Sequence, residues 1–308
     1  MRRFIIRRLM LALPVLLLVV LLTFLLVHSA PGSPFASEKN LSPETLAALQ
    51  AEYGLDKPLP TQLYMYVNNL AHGYLGRSIH FSDWSVNEII ANALPVSMRL
   101  GAFALLFAIL AGVPLGAVAA LRRNTLIDHS AMAVAVAGIS IPSFVIASLL
   151  ILLFSFTLKW LPSAGWGNIE NMILPALTLS APFIAYISRI TRGTLIEVLS
   201  EDYIRTARAK GVSEKSVLFH HALRNGLTPL ISFLGPASAG ILTGSVVVEK
   251  VFAVPGLGIH FVHSALHRDY FLAVGCALIY GFILLMFNLL SDILYVIADP
   301  RISHDSKQ

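Results

Sequence analysis

The sequence contains little charge. Of its 308 residues, 13% are Asp, Glu, Lys or Arg, whereas 56% are hydrophobic. A soluble domain carries about 25% charged residues, so about half of the expected charge is missing. Long apolar runs account for this deficit. A run that crosses lipid must satisfy its own backbone hydrogen bonds, and because these runs do not alternate in polarity as the strands of a β-barrel would, they are predicted to be helices. We therefore predict an all-α polytopic membrane protein with six transmembrane helices, at 9–27, 94–121, 131–158, 173–188, 227–248 and 271–298.

Cysteine and catalytic motifs are also scarce. Cys276 is the one cysteine, so an internal disulfide and a paired-cysteine metal site are both excluded, and we expect a small packed residue. The sequence contains no G-x-x-x-x-G-K-[ST] phosphate loop, no H-E-x-x-H and no G-x-S-x-G. These absences argue against ATP binding by this chain, against a bound cofactor and against an enzyme.

Lysine and arginine are unevenly distributed along the chain. Arg2, Arg3, Arg7 and Arg8 precede the first apolar run, which is longer than the about 7–15 residues of a signal peptide's apolar region, so we expect an uncleaved helix. With the N-terminus inside, most of the 22 Lys and Arg residues fall on the cytoplasmic side. We predict that both termini are cytoplasmic. The net charge of +5 then reflects this bias rather than a nucleic-acid partner.

The predicted spans divide the chain into four parts. These are an N-terminal transmembrane helix at 1–28, an extracytoplasmic helical insertion at 29–93, a five-helix transmembrane core at 94–298 and a cytoplasmic tail at 299–308. Inside the insertion, Ser42 and Pro43 predict a helix start, and Ser85 with Glu88 predicts a capping box.

The polar stretch at 201–229 is the most informative part of the sequence. Glu201 begins a short helical pattern, Gly211 interrupts it, and Ser213 begins a second one with its own cap. A solvated charged loop is the plain alternative. Alanines at 207 and 209 favour the helical interpretation, because a merely solvated loop would carry more polar residues there.

This stretch resembles the cytoplasmic coupling loop of ABC importer permeases. That loop follows the pattern E-A-A, three residues, G, nine residues, I-x-L-P. Aligned on Gly211, the chain has Arg205-Thr206-Ala207 before the glycine and His221-Ala222-Leu223-Arg224 after it. Arginine at 205 and 224 departs from the general pattern, but the peptide-importing branch shares both departures.

The resemblance continues along the whole chain. The motifs APGSPF at 30–35, ISIPSF at 139–144, GSVVVE at 244–249, PGLG at 255–258 and ADPR at 298–301 are similar to those of the peptide/nickel permease family. Within that family the chain resembles the first membrane subunit of oligopeptide permeases.

The resemblance implies a type I ABC importer permease fold and a multi-pass subunit of the bacterial cytoplasmic (inner) membrane. It implies a second homologous permease chain in a heterodimer, two ATP-binding subunits that hold ATP and Mg, and an extracytoplasmic peptide-binding protein. The substrate would be an oligopeptide. A dipeptide or nickel permease of the same family, or a self-sufficient secondary transporter or channel, are the alternatives.

The resemblance also identifies candidate residues for coupling to the ATPase. They belong to what we name the coupling segment (200–226), and they are Arg205, Thr206, Ala207, Arg208, Ala209, Gly211, His221, Leu223 and Arg224.

Two further groups are candidates for a gate or pathway. The first lies in the fifth predicted span, where packing competes with a functional bend: Pro236, Gly240 and Gly244. The second lies in the sixth span and consists of Asn288 and Asp292. An intramembrane acid is a functional candidate, and we expect Asp292 to pair with Arg189 or Arg192 rather than to contact substrate.

Three histidines occur at helical spacing before the last span. His260, His263 and His267 would share one helix face, and imidazole suits nickel or copper. No acid or cysteine ligand accompanies them in this pattern. We therefore predict ordinary polar surface here and no metal site.

Overall fold

The structure is a computed structural model that describes residues 2–35 and 42–298, with side chains at 5–35 and 42–294. These residues are mainly helical and contain no β-strand, so the predicted all-α class is confirmed. The tail at 299–308 lies outside the described residues. The helices are α1 (Arg2–Ser29), α2 (Pro43–Glu52), α3 (Leu59–Ala71), α4 (Val86–Leu121), α5 (Leu126–Ser140), α6 (Ser143–Leu150), α7 (Ile169–Leu199), α8 (Asp202–Ala209), α9 (Glu214–Ser216), α10 (Leu223–Gly226), α11 (Thr228–Leu242), α12 (Val246–Val251), α13 (Leu257–Leu266) and α14 (Tyr270–Ala298).

Five of the described segments are long and apolar enough to cross a membrane. They are Ile5–Ser29, Val86–Leu121, Ile169–Leu199, Thr228–Val251 and Tyr270–Leu294. The span predicted at 173–188 is part of a much longer helix, because Arg189 and Arg192 interrupt the apolar run without interrupting the helix.

The span predicted at 131–158 is not one continuous helix. Leu126–Ser140 and Ser143–Thr157 meet at an angle of 109°, and together they count as a sixth span. Pro142 explains the break, because the residue before a proline avoids the helical region. Ile141 accordingly has φ −85° and ψ 125°. Beyond α6 the chain continues as a π-helical turn at Ile151–Thr157.

The span at Thr228–Val251 contains a second interruption. Pro236 lies inside α11, but the helix continues past it to Leu242. The break comes at Gly244, which has φ +86°, and α12 starts after Ser245 caps it. Glycine reaches this left-handed conformation without steric penalty, whereas other residues rarely do. Gly244 thus separates two helices instead of lying within one.

The chain divides into two compact units. Unit 1 comprises Met1–Ser97 and Pro255–Leu285, and unit 2 comprises Met98–Val254 and Met286–Gln308. The described residues of the predicted insertion, 29–35 and 42–93, thus fall in the same unit as α13 and the first part of α14. In unit 1, Tyr66 of α3 clusters with Val20 and Phe24 of α1 and with Val274 of α14.

The helix starts predicted in the insertion are confirmed. Ser42 caps α2 by accepting a hydrogen bond from the Thr45 amide, with Pro43 in the first turn. Ser85 and Glu88 exchange the two bonds of a capping box at the start of α4. Cys276 is fully buried in unit 1, as expected of a packed residue.

Unit 2 is assembled by close helix approaches at glycine. A Cβ placed on Gly101 of α4 would lie 2.6 Å from the Leu242 Cα atom, and one on Gly116 would lie 2.8 Å from the Thr191 Cβ atom. Small residues allow this approach in membranes, where van der Waals contact rather than hydrophobic exclusion holds helices together. Helix α7 lies at the centre of unit 2, with residues buried along most of its length.

Two glycines of α11 should respond oppositely to the same substitution. A methyl group on Gly235 would collide with Ser291 of α14, whereas one on Gly240 would have no described atom within 4 Å. We expect Gly235→Ala to destabilise the protein by about 1–3 kcal/mol, because overpacking forces neighbouring atoms apart. Gly240→Ala is the matched control and should be neutral or stabilising by up to about 1 kcal/mol. Thermal unfolding in lipid nanodiscs measures both, and equal melting temperatures would contradict the packing that we describe.

Candidate functional site

The first helix of the coupling segment is closed by a six-residue backbone motif. The Val212 amide donates to the Ala207 carbonyl at 3.2 Å, and the Gly211 amide donates to the Arg208 carbonyl at 2.9 Å. This pair of bonds defines a Schellman motif, which requires a left-handed residue after the helix cap. Gly211 supplies that residue with φ +79°. The glycine predicted to interrupt the helix is therefore what fixes its end.

A side-chain ion pair joins the two halves of the coupling segment. Arg208 Nε and Nη2 donate to the two carboxylate oxygens of Glu214 at 2.8 and 3.1 Å. The guanidinium bond lowers the pKa of Glu214 and raises that of Arg208. Both side chains are exposed, so the pair contributes orientation more than stability. Ser213 begins the second half by accepting from the Ser216 amide, as its sequence position predicts.

One face of the coupling segment is buried against its own chain. Ile204 and Ala207 of α8 cluster with Leu195 of α7 and with Ala117 and Ala120 of α4. Val217 and Ala222, in the π-helical turn at Val217–Ala222, complete the same core, and Gly226 approaches Leu195 so closely that a Cβ would lie 2.9 Å from a leucine methyl. The segment is thus seated on the C-terminal ends of two long helices.

The opposite face carries most of the predicted coupling residues. Those that are exposed are Arg205, Thr206, Arg208, Ala209, Gly211 and Arg224, whereas His221 and Leu223 are half-buried. Ala207 is the exception, because it belongs to the buried core described above. Its place in the alignment therefore reflects internal packing rather than a surface contact.

Two aromatic residues on this face were missed from the sequence. Phe219 is 64% exposed and Tyr203 is 41% exposed, although both lie in a polar segment outside the membrane spans. The Tyr203 hydroxyl is held by Asn225 at 3.0 Å. Exposed aromatic side chains beside arginines are typical of the energetic centre of a protein interface. An aromatic residue within a charged run was the available signal.

An ion pair unforeseen from the sequence lies on the same helix as Leu195. Arg192 of α7 donates from Nε and Nη2 to the two carboxylate oxygens of Asp128 in α5, at 2.6 and 2.8 Å. Asp128 is 1% exposed and also accepts from the Asn124 amide. The pair fixes α5 to the end of α7. Arg192, one of the two arginines expected to pair with Asp292, bonds to Asp128.

The predicted pathway residues of α14 are only partly brought together with those of α11. Asn288 and Asp292 are half-buried. Their neighbour Ser291 donates to the Ile231 carbonyl at 2.8 Å and thereby fixes α14 to α11. Gly240 presents an open face in unit 2, whereas Gly244 lies in the break after α11. Whether these residues line a pathway stays a prediction.

The three histidines lie in and just after α13, in unit 1. The ring of His260 packs edge-on against Phe81, and His267 stacks on His80 with ring centroids 4.6 Å apart. Burial, with a smaller effect of His263, lowers the pKa of His260, so its neutral form is favoured. Within residues 2–35 and 42–298, no three His, Cys, Asp or Glu side chains are grouped so that they could hold a metal ion.

The fold is similar to that of a solved ABC importer. The inward-facing MetNI methionine ABC transporter aligns over 68% of this chain and 96% of that chain, with a TM-score of 0.58 and 15% sequence identity. A second crystal form of that transporter gives a TM-score of 0.55 over the same shares. The type I ABC importer permease fold is therefore shown.

Sequence comparison extends over the whole chain. The oligopeptide transport system permease protein OppB of Salmonella typhimurium is 45% identical over 99% of this chain and 100% of its own length. OppB of Escherichia coli K12 is 44% identical over the same shares, and the dipeptide transport system permease protein DppB of Lactococcus lactis is 43% identical over 98% of this chain and 99% of its own length. An N-terminal family model for binding-protein-dependent transport system membrane components matches residues 1–100. The model for the binding-protein-dependent transport system inner membrane component matches residues 112–304, more than half of the chain, and the chain therefore belongs to that family.

Proposed function

We propose that this chain imports oligopeptides as one membrane subunit of an ATP-driven transporter. Full-length similarity to OppB carries the proposal. Dipeptides are the second candidate substrate, because DppB of Lactococcus lactis is nearly as similar. The nickel alternative has less support, since OppB and DppB, which are similar over almost the whole chain, are both named for peptide transport.

The partners follow from what the chain itself must do. Concentrating a peptide against its gradient requires about 1.4 kcal/mol per tenfold, and this sequence has no phosphate loop to bind ATP. We infer two ATP-binding subunits that hold ATP and Mg, a second homologous permease chain in a heterodimer and an extracytoplasmic peptide-binding protein. In this arrangement both termini and the coupling segment are cytoplasmic.

The exposed face of the coupling segment is the proposed docking site for an ATP-binding subunit. Phe219 and Tyr203 supply aromatic anchors, and Arg205 adds a directional charge. The buried face, through Ile204 and Ala207, holds the segment to its own helices. A movement of the docked subunit would therefore move the segment and the helix ends together, as a rigid body.

Helix α7 is the proposed route from the coupling segment to the other membrane helices. Leu195 contacts the coupling segment, and Arg192, about one turn earlier, is bonded to Asp128 of α5. Asp128 lies in the first turn of α5, and α5 ends at the 109° bend before α6, so displacement of α7 would be carried along α5 to that bend. The ion pair is the direct link in this route, since two charge-assisted bonds fix orientation as well as distance.

Reconstitution tests the proposed function. The purified chain alone should neither hydrolyse ATP nor accumulate peptide in vesicles, and addition of the second permease, both ATPases and the binding protein should restore both activities. Competition among peptides of increasing length then separates the oligopeptide candidate from the dipeptide candidate. Accumulation by the isolated chain under an imposed proton or sodium gradient would identify a secondary transporter and overturn the proposal.

Gly211 provides a test of coupling through backbone conformation. A Cβ at this position meets no described atom within 4 Å, so within this chain a substitution acts through the backbone rather than through a clash. We expect Gly211→Val to open the Schellman motif and to reduce peptide import by about tenfold or more, because a β-branched residue is strained at positive φ. Gly211→Asn is the matched control, since asparagine tolerates that conformation, and it should retain most import. Equal import by the two variants at equal expression would contradict the coupling role.

Substitutions in the Asp128–Arg192 pair can distinguish its contribution to stability from its role in transmitting movement. Asp128→Leu alone should destabilise the protein by about 3 kcal/mol, because it leaves a partly buried guanidinium without its carboxylate. Combining it with Arg192→Met should recover most of that loss, since no uncompensated charge remains. We nevertheless expect the double variant to hydrolyse ATP with little peptide import, because the directional link from α7 to α5 is gone. A stable double variant with normal import per ATP would show that the pair does not transmit movement.

A further inference from the structure

Unit 1 contains a cavity of about 310 Å³ that none of the coupling or pathway candidates line. Most of its walls come from α2, α3 and the chain that follows them to Arg77, and the ends of α1 and α14 complete it. Small-molecule sites occupy about 300–1,000 Å³, so the volume suits a short peptide or one end of a longer one. Because helices outside the membrane spans form most of the wall, we do not expect the cavity to bind the acyl chains of lipids.

The inner wall of the cavity is aromatic. Phe24 and Tyr66 are 3% and 2% exposed, and the rings of Tyr66 and Phe271 stack with centroids 6.1 Å apart. The Tyr66 hydroxyl is buried within the packed core and is not presented to the cavity. The aromatic rings therefore supply an apolar wall that suits an apolar side chain.

The outer wall carries exposed charges of both signs. Arg77 Nη1 and Glu52 Oε1 are 3.3 Å apart, their side chains are 51% and 54% exposed, and Lys57 also lines the cavity. Such an exposed ion pair contributes little free energy, so Arg77 and Glu52 can each bind a charged group of a ligand instead of each other at little cost in stability. An acid and two bases at one opening match the ammonium and carboxylate of a zwitterion.

The side of the cavity is held rigid by a hydrogen-bond network. His28 Nε2 bonds to Gln62 Oε1 at 3.1 Å, and Gln62 Nε2 donates to the Leu55 and Lys57 carbonyls at 3.2 and 2.7 Å. These bonds join the end of α1 to the turn before α3. The site therefore exists before any ligand arrives, which lowers the entropy lost on binding.

We propose that this cavity binds a short peptide with free termini, with an apolar side chain of the peptide against the aromatic wall. The proposal rests on the proposed function, because peptides reach this face only if the chain serves a peptide importer. It adds a binding site in this chain itself, apart from any site in the binding protein. Glu52 holds the ammonium, and Arg77 with Lys57 holds the carboxylate.

Photolabelling of the assembled transporter in lipid nanodiscs tests the site. The probe is an alanine–photoleucine–alanine tripeptide with free termini, and mass spectrometry locates the labelled residues. We expect labels on the cavity walls, and about tenfold less labelling by the same peptide when it is N-acetylated and C-amidated. Equal labelling by the free and blocked peptides would overturn the proposal.

Two substitutions in the cavity sharpen the result. Ala51 of α2 lines the cavity, so Ala51→Trp should fill it and reduce labelling by about tenfold or more. Ala48 lies on the same helix, is exposed and does not line the cavity, so Ala48→Trp is the matched control and should label normally. Tyr66→Phe keeps the aromatic wall and removes only a buried hydroxyl, so it is a second control and should label normally. Unchanged labelling in Ala51→Trp defeats the site.

Two further measurements distinguish the remaining outcomes. A phospholipid that copurifies with the unsubstituted transporter but not with Ala51→Trp would show that the cavity holds lipid, which contradicts the proposal. ATP-driven import of the free tripeptide is measured in parallel. Import without labelling defeats this site alone, whereas the absence of peptide import by the complete transporter defeats the proposed function.

Discussion

Backbone amides and carbonyls inside a bilayer must find their hydrogen bonds within the protein, because lipid offers none. This constraint explains why the described spans are helices and why they can be interrupted only at particular places. One helix breaks at Pro142 because the residue before a proline avoids the helical conformation. Another breaks at Gly244 because glycine adopts the left-handed conformation without steric penalty. The same constraint also explains the glycines at helix contacts. Because the backbone hydrogen bonds are already made within each helix, helices attract each other mainly through van der Waals contact, and glycine allows the close approach that this contact requires.

The coupling segment solves the opposite problem, because it lies outside the apolar runs and has to be both held and available. Burial of Ile204 and Ala207 holds it, and the Schellman motif at Gly211 sets the angle between its halves. The face that remains combines aromatic side chains with arginines. A segment that is packed on its own helices and exposes an aromatic face is suited to transmitting a movement of a bound partner to those helices. This property agrees with the proposed mechanism.

The features that the sequence predicted correctly are local. Ser42, Ser213 and the Ser85–Glu88 box act on amides within four residues, so their chemistry is visible in any short window. The ion pair between Asp128 and Arg192 was not predictable in this way, because 64 residues separate its partners and only tertiary packing selects them. Gly235 and Gly240 show the same limit, since their shared helix does not reveal which one faces α14.

The solitary, fully buried Cys276 has a practical consequence for this protein. Its thiol is shielded from aqueous reagents, so the natural sequence already behaves as a cysteine-free background. A cysteine introduced at an exposed position such as Lys215, or Ala48 in the insertion, would be the one thiol open to a membrane-impermeant maleimide. Each side of the membrane can then be assigned by chemistry alone, without first rebuilding the core around a missing residue.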